Sequence, residues 1–437
     1  GNPEVKKYFM KHHAELLTIY QPWGAKGWDA TLPDQYDPSI GLYPSGGTME
    51  QLREFVEYAR SFGFAGLRTN YVWVNDNSPS YQAGRIQRAK QMNGADAWLV
   101  KPTQWSIVPQ RQENDMKRDF RPNASFSDQL ASGGMSPAYI DYGSDDTSMS
   151  FAIAKERELI EQIKSINPGP FGSESSLAEF LFGHGYDYGE YGITNGHNRK
   201  KLIPDYKLRN LHTNALLYGM GIPYRWFENP PWPLWGADQS FAFDKAFTEV
   251  MDDYRAVEIL YGNGAYIGYL PNMPYNYMLT ELLVVGQLQK YYANQEVDNV
   301  YYWHGGGWKT LEQLYAADDV TDDSYTRVKV VYRNGLHVYV NRSPNEMHVD
   351  TGNGTTLTLP QYGWAAFKTD GSVLAYSAYY PGTTHRVDFF RNSSLQYIDP
   401  RGETIAGVDR ITLWENGAIV MQYGNDRSVD REAVESP

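Results

Sequence analysis

Two acids in this chain are spaced as a catalytic pair would be. Asp128 stands near the end of the strand-like run NASFSDQLA (123–131) and Glu174 near the end of GPFGSES (169–175), with the amphipathic run FAIAKERELIEQIKSI (151–166) between them. If the two runs are neighbouring parallel strands joined by that helix, each acid sits at a carboxyl end, where parallel α/β folds build their sites. Carboxylates on adjacent strands are then about 5–5.5 Å apart, the separation at which one attacks an anomeric carbon and the other serves as acid and base, with retention. That chemistry asks one carboxyl group to stay protonated near neutral pH, which burial beside a carboxylate neighbour arranges. A gap of roughly 6.5–9.5 Å would instead admit a water and give inversion. Gly169, Gly172 and Ser173 keep the approach to Glu174 small. Asp141 in PAYIDYGSDD (137–146) is a third candidate. It becomes the strand-end nucleophile if AYIDY is the strand, and otherwise orients substrate beside the pair. Asp145 and Asp146 read as helix-cap acids.

Other polar and aromatic residues fit a sugar site. Arg68 and Asn70 in GLRTNYVW, and Lys101 and Gln104 in KPTQW, fall toward strand ends where they would hydrogen-bond hydroxyls; each reads equally as loop packing. Asp187 and Glu190 in YDYGEYG are candidates to support the pair, and Asp205 with Lys207 to form an ion pair at the site floor. Aromatics are 15% of the chain, with 35 Tyr and 12 Trp, many in turn-rich stretches such as YQPWGAKGW (20–28) and YRWFENPPWPLW (224–235). A flat apolar face beside a polar tip suits a sugar ring. At least one of Trp23, Trp73, Trp105, Trp226, Trp232 and Trp235 is therefore expected to line the pocket, with Trp73 and Trp226 foremost.

The elements that must position these residues follow from periodicity. Up to about residue 295, strand-like runs (15–23, 64–74, 97–108, 123–131, 169–175, 201–206, 222–227 and 265–270) alternate with amphipathic helical runs (48–63, 151–166, 241–261 and 278–292). Eight runs in that rhythm favour a (β/α)8 TIM-type barrel over an open sheet. Its connections at 24–47, 74–96 and 228–240 are long enough to build a site. Beyond, the period becomes two, with hairpins around Asn334-Gly335 and Asn416-Gly417. The chain thus reads as a barrel over 1–295, a linker over 296–327 that includes the acidic AADDVTDDS, and an antiparallel β-sandwich over 328–437.

Composition excludes several classes. A net charge of −13 leaves no basic surface for nucleic acid or anionic membranes, and no apolar run is long enough to span a bilayer. With no cysteine, disulfides, thiol nucleophiles and cysteine-held metals are ruled out. The histidines, His12 and His13 or His184 and His197, lack the spacing of a metal pair. Neither GxGxxG, GxxxxGK[ST] nor GxSxG occurs, so no cofactor is expected and the partner is an oligosaccharide or polysaccharide. Residue 1 is Gly and no leader follows, so a signal peptide would have been removed or lie upstream. Oligomeric state leaves no mark.

The stretch from Asn123 to Gly192 resembles a group of retaining glycoside hydrolases comprising endo-α-N-acetylgalactosaminidases of family 101, α-N-acetylgalactosaminidases of family 129 and their bacterial relatives. The resemblance implies a (β/α)8 barrel, α-linked galactose-type substrates, and an extracellular or periplasmic place in a bacterium. It implies an Asp nucleophile in a Y-x-D-V segment and an acid/base Glu in a following G-S-E segment, carried over onto Asp128 and Glu174. FSDQL departs from that nucleophile pattern while AYIDYG matches it, so Asp128 and Asp141 both stand as nucleophile candidates. YDYGEYG is similar to the group's D-Y-x-E-G, placing Asp187 and Glu190 behind the pair. The alternative from another class is a barrel that binds carbohydrate without turning it over; an inverting glycosidase would share the fold.

Overall fold

The computed structural model describes residues 16–19, 29–39, 41–42, 47–61, 63–130, 139–174, 181, 183–185, 187–190, 217–218, 245–262, 264–265, 275–293, 295–317 and 320–424. The chain divides into two compact units, one spanning Met10–Glu190 and the other Gly1–Phe9 with Tyr191–Pro437.

The first unit is built on parallel strands in the order β1 (Leu16–Ile19), β2 (Phe64–Thr69), β5 (Ala124–Ser127), β6 (Phe171–Glu174) and β7 (Tyr188–Glu190). Helix α1 (Met49–Arg60) starts where Thr48 accepts from the Gln51 amide while the Gln51 side chain accepts from the Thr48 amide, a reciprocal cap. It buries Leu52, Val56 and Ala59 against Ala65 and Leu67 of β2, joined by Met116 of α2 (Ile107–Asp119) and Phe120 beyond it. Helix α3 (Met149–Ile166), capped by Ser148, links β5 to β6 as its periodicity requires. Gly169, just ahead of β6, is irreplaceable for a reason of backbone space: a Cβ there would fall 1.6 Å from the Asn123 carbonyl oxygen. That contact lies at the amino end of the strands, so Gly169 packs the sheet and opens no room beside Glu174.

The run 97–108 departs from expectation. It splits into β4 (Asp96–Val100), paired antiparallel with β3 (Arg88–Lys90), a short turn from Pro102, and the start of α2. Pro102 ends the strand because it has no N–H to donate. The parallel partner of β2 is β5 instead, and β7, from the YDYGEYG segment, is a further parallel strand. The runs 201–206 and 222–227 lie outside the described residues, as does most of 265–270.

The second unit begins, in its described part, with the two-residue β8 (Leu217–Tyr218) and continues with α4 (Lys245–Tyr261), α5 (Tyr275–Thr280), a π-helical turn over Glu281–Val285, and α6 (Gly286–Tyr292). An antiparallel sheet follows in the order β10 (Gly307–Thr310), β9 (Val297–His304), β11 (Arg327–Tyr332), β12 (Leu336–Asn341), β15 (Gly363–Lys368), β16 (Leu374–Tyr379), β17 (Arg386–Arg391), β18 (Leu395–Asp399), β19 (Ile411–Glu415) and β20 (Ala418–Tyr423). At the β19–β20 turn Asn416 and Gly417 both take left-handed φ, 49° and 81°, the geometry Asn-Gly favours.

Strand alternation sorts the two faces. Val338, Val340, Trp364, Ala366, Ala375 and Phe390 pack with Tyr254, Val257, Val284 and Leu288 of the helices. Ala365, Phe367, Tyr376 and Phe389 pack with Met347, Val349, Leu357 and Leu359 of the hairpin β13 (Met347–Asp350) and β14 (Thr356–Leu359). In place of the expected two-sheet sandwich there is thus one large antiparallel sheet with helices on one face and a hairpin on the other. The stretch 296–327, read as a linker, holds β9, β10 and the short helix α7 (Leu311–Ala316). The helical runs near 241–292, read as barrel helices, bury their apolar stripe on this sheet.

Within α3, Glu156 is fully buried and, among the described residues, neither of its carboxylate oxygens has a hydrogen-bond partner. Burial lifts its carboxyl from an ordinary 4.5 to about 8, with Arg157 opposing. The unfolded chain releases that proton near pH 4.5, so between there and about pH 8 only the folded state holds it, and stability falls as pH rises. Glu156→Gln is expected to flatten this descent and to raise the urea midpoint most at the alkaline end. A slope unchanged by the substitution would assign the pH dependence to other groups.

Candidate active site

Successive registers carry a row of polar residues across the carboxyl ends of the parallel strands. Thr69 pairs with Ser127, Ser127 with Ser173, and Glu174 with Glu190. One residue further along β2 and β5 lie Asn70 and Asp128, so Asn70, Asp128, Glu174 and Glu190 fall at one level. The ladder still holds there, because the Asp128 amide donates to the Thr69 carbonyl at 2.6 Å. Neighbouring strands lie about 4.8 Å apart, so the backbones of Asp128 and Glu174 are one strand spacing from each other.

Arg68 organises the described half of this row. It is 1% exposed and its register partner is Phe126, so it shares the sheet face of Asp128, opposite Ala65 and Leu67. Its Nη2 donates to Asp128 Oδ2 in a close ion pair, and its Nη1 to Asp29 Oδ1 at 2.7 Å. Asp128 is itself buried, and among the described residues nothing bonds its Oδ1. Among the described residues the carboxylate is thus held at one oxygen alone. Gln129, immediately after it, has φ 59°, a left-handed conformation that an unbranched polar residue seldom adopts. Tyr139 secures this corner by donating its hydroxyl to the Gln129 carbonyl.

The loop at 24–47, expected to serve a site, reaches the carboxyl ends of the strands in its described part. Gln35 accepts from the Asn70 amide at 2.5 Å, and Asp29 reaches Arg68. Asp34 anchors the loop through Ser78, Ser80 and Arg111. Asp29 and Gln35 were not candidates from sequence, since neither lies in a strand-like run; an acid and an amide within a long connection were the only signal.

Several candidates are bonded to neighbouring loops and strands. Asp141 is outside any strand, and its Oδ1 accepts from the amides of Lys90 at 2.8 Å and Gly143 at 3.0 Å, tying its loop to the β3–β4 excursion. Gln104 accepts from the Gln87 amide at 2.7 Å, and the Lys101 amide donates to the Gln87 carbonyl, so both close the same excursion. Asp187 accepts from Lys164 Nζ at 2.5 Å and from the Phe171 amide at 2.8 Å. Phe171 begins β6, which sets Asp187 at the amino end of the sheet, opposite the row. Glu190 by contrast stands in the row. Asn70 Oδ1 accepts from the Trp73 amide, and Trp73 is half-buried beside a core that encloses Trp105. Trp23, Trp226, Trp232, Trp235, Asp205 and Lys207 lie outside the described residues.

Behind the sheet, Glu113 of α2 accepts from Tyr71 at 2.8 Å and from Asn167 at 2.7 Å. Burial pushes its carboxyl up to about 7 against the pull of those two bonds. Among the described residues no group of three metal-type ligands occurs, and no helix is long and apolar enough to cross a membrane.

No known protein family matches the sequence, and no curated protein matches it. Solved structures do share its fold. A family 36 α-galactosidase from Geobacillus stearothermophilus, determined with raffinose, is similar at a TM-score of 0.50 and 9% identity over 89% of this chain and 52% of that one. An α-N-acetylgalactosaminidase from Bifidobacterium bifidum, determined with GalNAc, gives 0.47 and 14% over 75% and 48%. An α-amylase from Malbranchea cinnamomea gives 0.44 and 9% over 83% and 86%. The chain spans about half the length of the first two.

Proposed function

We propose that this chain is a glycoside hydrolase that cleaves α-linked, galactose-type glycans with retention, and that its parallel strands close into a (β/α)8 barrel. The observation that carries the reading is the register that sets Asp128 and Glu174 level on adjacent parallel strands, with Arg68 gripping one oxygen of Asp128. The fold likeness to the α-galactosidase is consistent with it.

In the first step Asp128 Oδ1 attacks the anomeric carbon as the glycosidic bond breaks, and Glu174 gives its proton to the departing oxygen. A glycosyl ester on Asp128 results. Glu174, now a carboxylate, takes a proton from the water that attacks the same carbon, and the ester bond breaks to return the Asp128 carboxylate and a sugar of unchanged configuration. Arg68 spreads the charge of that carboxylate and aims its open oxygen. The order is self-consistent because the pair ends as it began.

A 2-deoxy-2-fluoro α-galactosyl fluoride should leave a covalent adduct, and peptide mapping should find it on Asp128. A label on Asp141, or on no carboxylate, would overturn the assignment. NMR of the first-formed product should show the α-anomer; the β-anomer would mean inversion.

A further inference from the structure

A second cluster of sugar-compatible side chains lies on the antiparallel sheet, among strands β9 to β12. Tyr301, Lys329 and Tyr339 are register partners on β9, β11 and β12, so they stand side by side on one face. Trp303, two residues from Tyr301, shares that face and pairs with Trp308 of β10. Lys329 Nζ lies 5.5 Å from the Tyr301 ring and 5.4 Å from the Tyr339 ring. Trp308 meets Trp303 edge-on at 5.3 Å and Tyr339 at 5.7 Å. Strands β10 and β12 are three steps apart, about 14 Å on a flat sheet. A ring contact between them therefore requires this face to be concave.

Both tryptophans, both tyrosines and Lys329 are half-buried. The hairpin β13–β14 covers the neighbouring part of the same face but leaves these rings in reach of solvent. Lys329 has no carboxylate partner among the described residues, and burial lowers its affinity for the proton. His337, across from Val331, adds a second basic group beside it. Asp350, exposed on β13, is the acid whose charge reaches Tyr339. Among the described residues this ammonium lies between aromatic rings with no acidic partner, in a chain of net charge −13. Cation–π contacts repay part of its desolvation, and an anion would repay the rest.

We infer that this concave face is a second saccharide site and that it takes an anionic sugar. The rings of Trp303 and Trp308 cover the C–H surface of the sugar, and Lys329 receives its carboxylate or sulfate. Such a site would hold the enzyme on an acidic glycan independently of turnover.

The test titrates the full chain, by tryptophan fluorescence and saturation-transfer NMR, with an oligogalacturonate, a sulfated galacto-oligosaccharide and a neutral galacto-oligosaccharide. At least one anionic ligand should bind tenfold or more tightly than the neutral one, about 1.4 kcal/mol, and which one it is separates carboxylate from sulfate recognition. Lys329→Gln should abolish that preference, and Trp308→Ala should weaken binding of the anionic ligand. If Trp308→Ala does not fold, Lys329→Gln with Trp308→Phe carries the comparison. Turnover of a small aryl α-galactoside should stay unchanged in these variants. Equal binding of neutral and anionic ligands, no binding at all, or a preference that survives Lys329→Gln overturns the inference. Failure of the hydrolase reading would instead appear as no turnover in the parent chain, whatever the binding result.

Discussion

Asp128→Asn is expected to lower kcat on an aryl α-galactoside by roughly a thousandfold or more, about 4 kcal/mol of transition-state stabilisation. The substitution keeps the size of the side chain and removes the charge that, in the proposed mechanism, attacks the anomeric carbon. Arg68 retains Asp29, so the variant should stay folded, and a melting temperature within a few degrees of the parent separates lost chemistry from lost structure. Asp128→Gly in the presence of azide provides the sharper readout. Azide can enter the space of the missing carboxylate, and the product should be the β-galactosyl azide, with rate restored in proportion to azide. Asp141→Asn should leave kcat within about tenfold of the parent, since its carboxylate accepts loop amides that an amide oxygen can also bond. The reverse pattern, a small loss at Asp128 and a large one at Asp141, would exchange their roles.

The largest stability effect is expected from Asp252→Ala in the second unit. Asp252 of α4 is buried, and its Oδ2 receives Arg401 Nη2 at 2.7 Å and Arg386 Nη1 at 3.0 Å. Arg386 is further engaged by Ser377 Oγ at 3.0 Å and by the Tyr362 carbonyl at 2.7 Å, and Ser377 donates to Asp388 at 2.5 Å. The adjacent Asp253 takes Arg342 at 2.9 Å. These pairs pin one helix to the antiparallel sheet at several points. Removing Asp252 takes the shared carboxylate from Arg401 and Arg386, whose side chains are only 9% and 16% exposed, at a cost of about 3 kcal/mol. Urea unfolding of the full chain, followed by fluorescence of buried Trp364, should show the midpoint falling sharply. A loss under about 1 kcal/mol would mean that water reaches the cluster and screens it.

Much of the local structure was legible in the residues alone. The Thr48 cap, the helix from Met149 to Ile166, the strands holding Asp128 and Glu174, and the Asn416-Gly417 turn all appear where composition and period put them. Each depends on groups within a few positions of one another: a side chain meeting a nearby amide, a stripe repeating at one helical turn, or a φ that Asn and Gly tolerate. That Asp128 and Glu174 lie level on adjacent strands was readable for the same reason, since a strand, a helix and a strand in succession admit few arrangements.

What a residue packs against was decided only in three dimensions. An amphipathic stripe says that one face of a helix is buried, and it reads the same whether the cover is a parallel barrel or an antiparallel sheet. The helices between Lys245 and Tyr292 therefore looked like barrel helices and pack instead on the sheet that follows them. Trp98, Leu99 and Val100 carry an apolar strand pattern, yet their partner is the local strand Arg88–Lys90, because Pro102 stops the run before it can join the main sheet. Asp187 and Glu190 are three residues apart in one motif, but β7 begins just after the first and ends at the second, so the strand carries them to opposite ends of the sheet. Arg68 became the partner of Asp128 through parallel pairing across 60 residues, a distance at which no sequence period operates. Local chemistry chooses the element; pairing and burial choose its neighbour, and the neighbour determines which acids face one another.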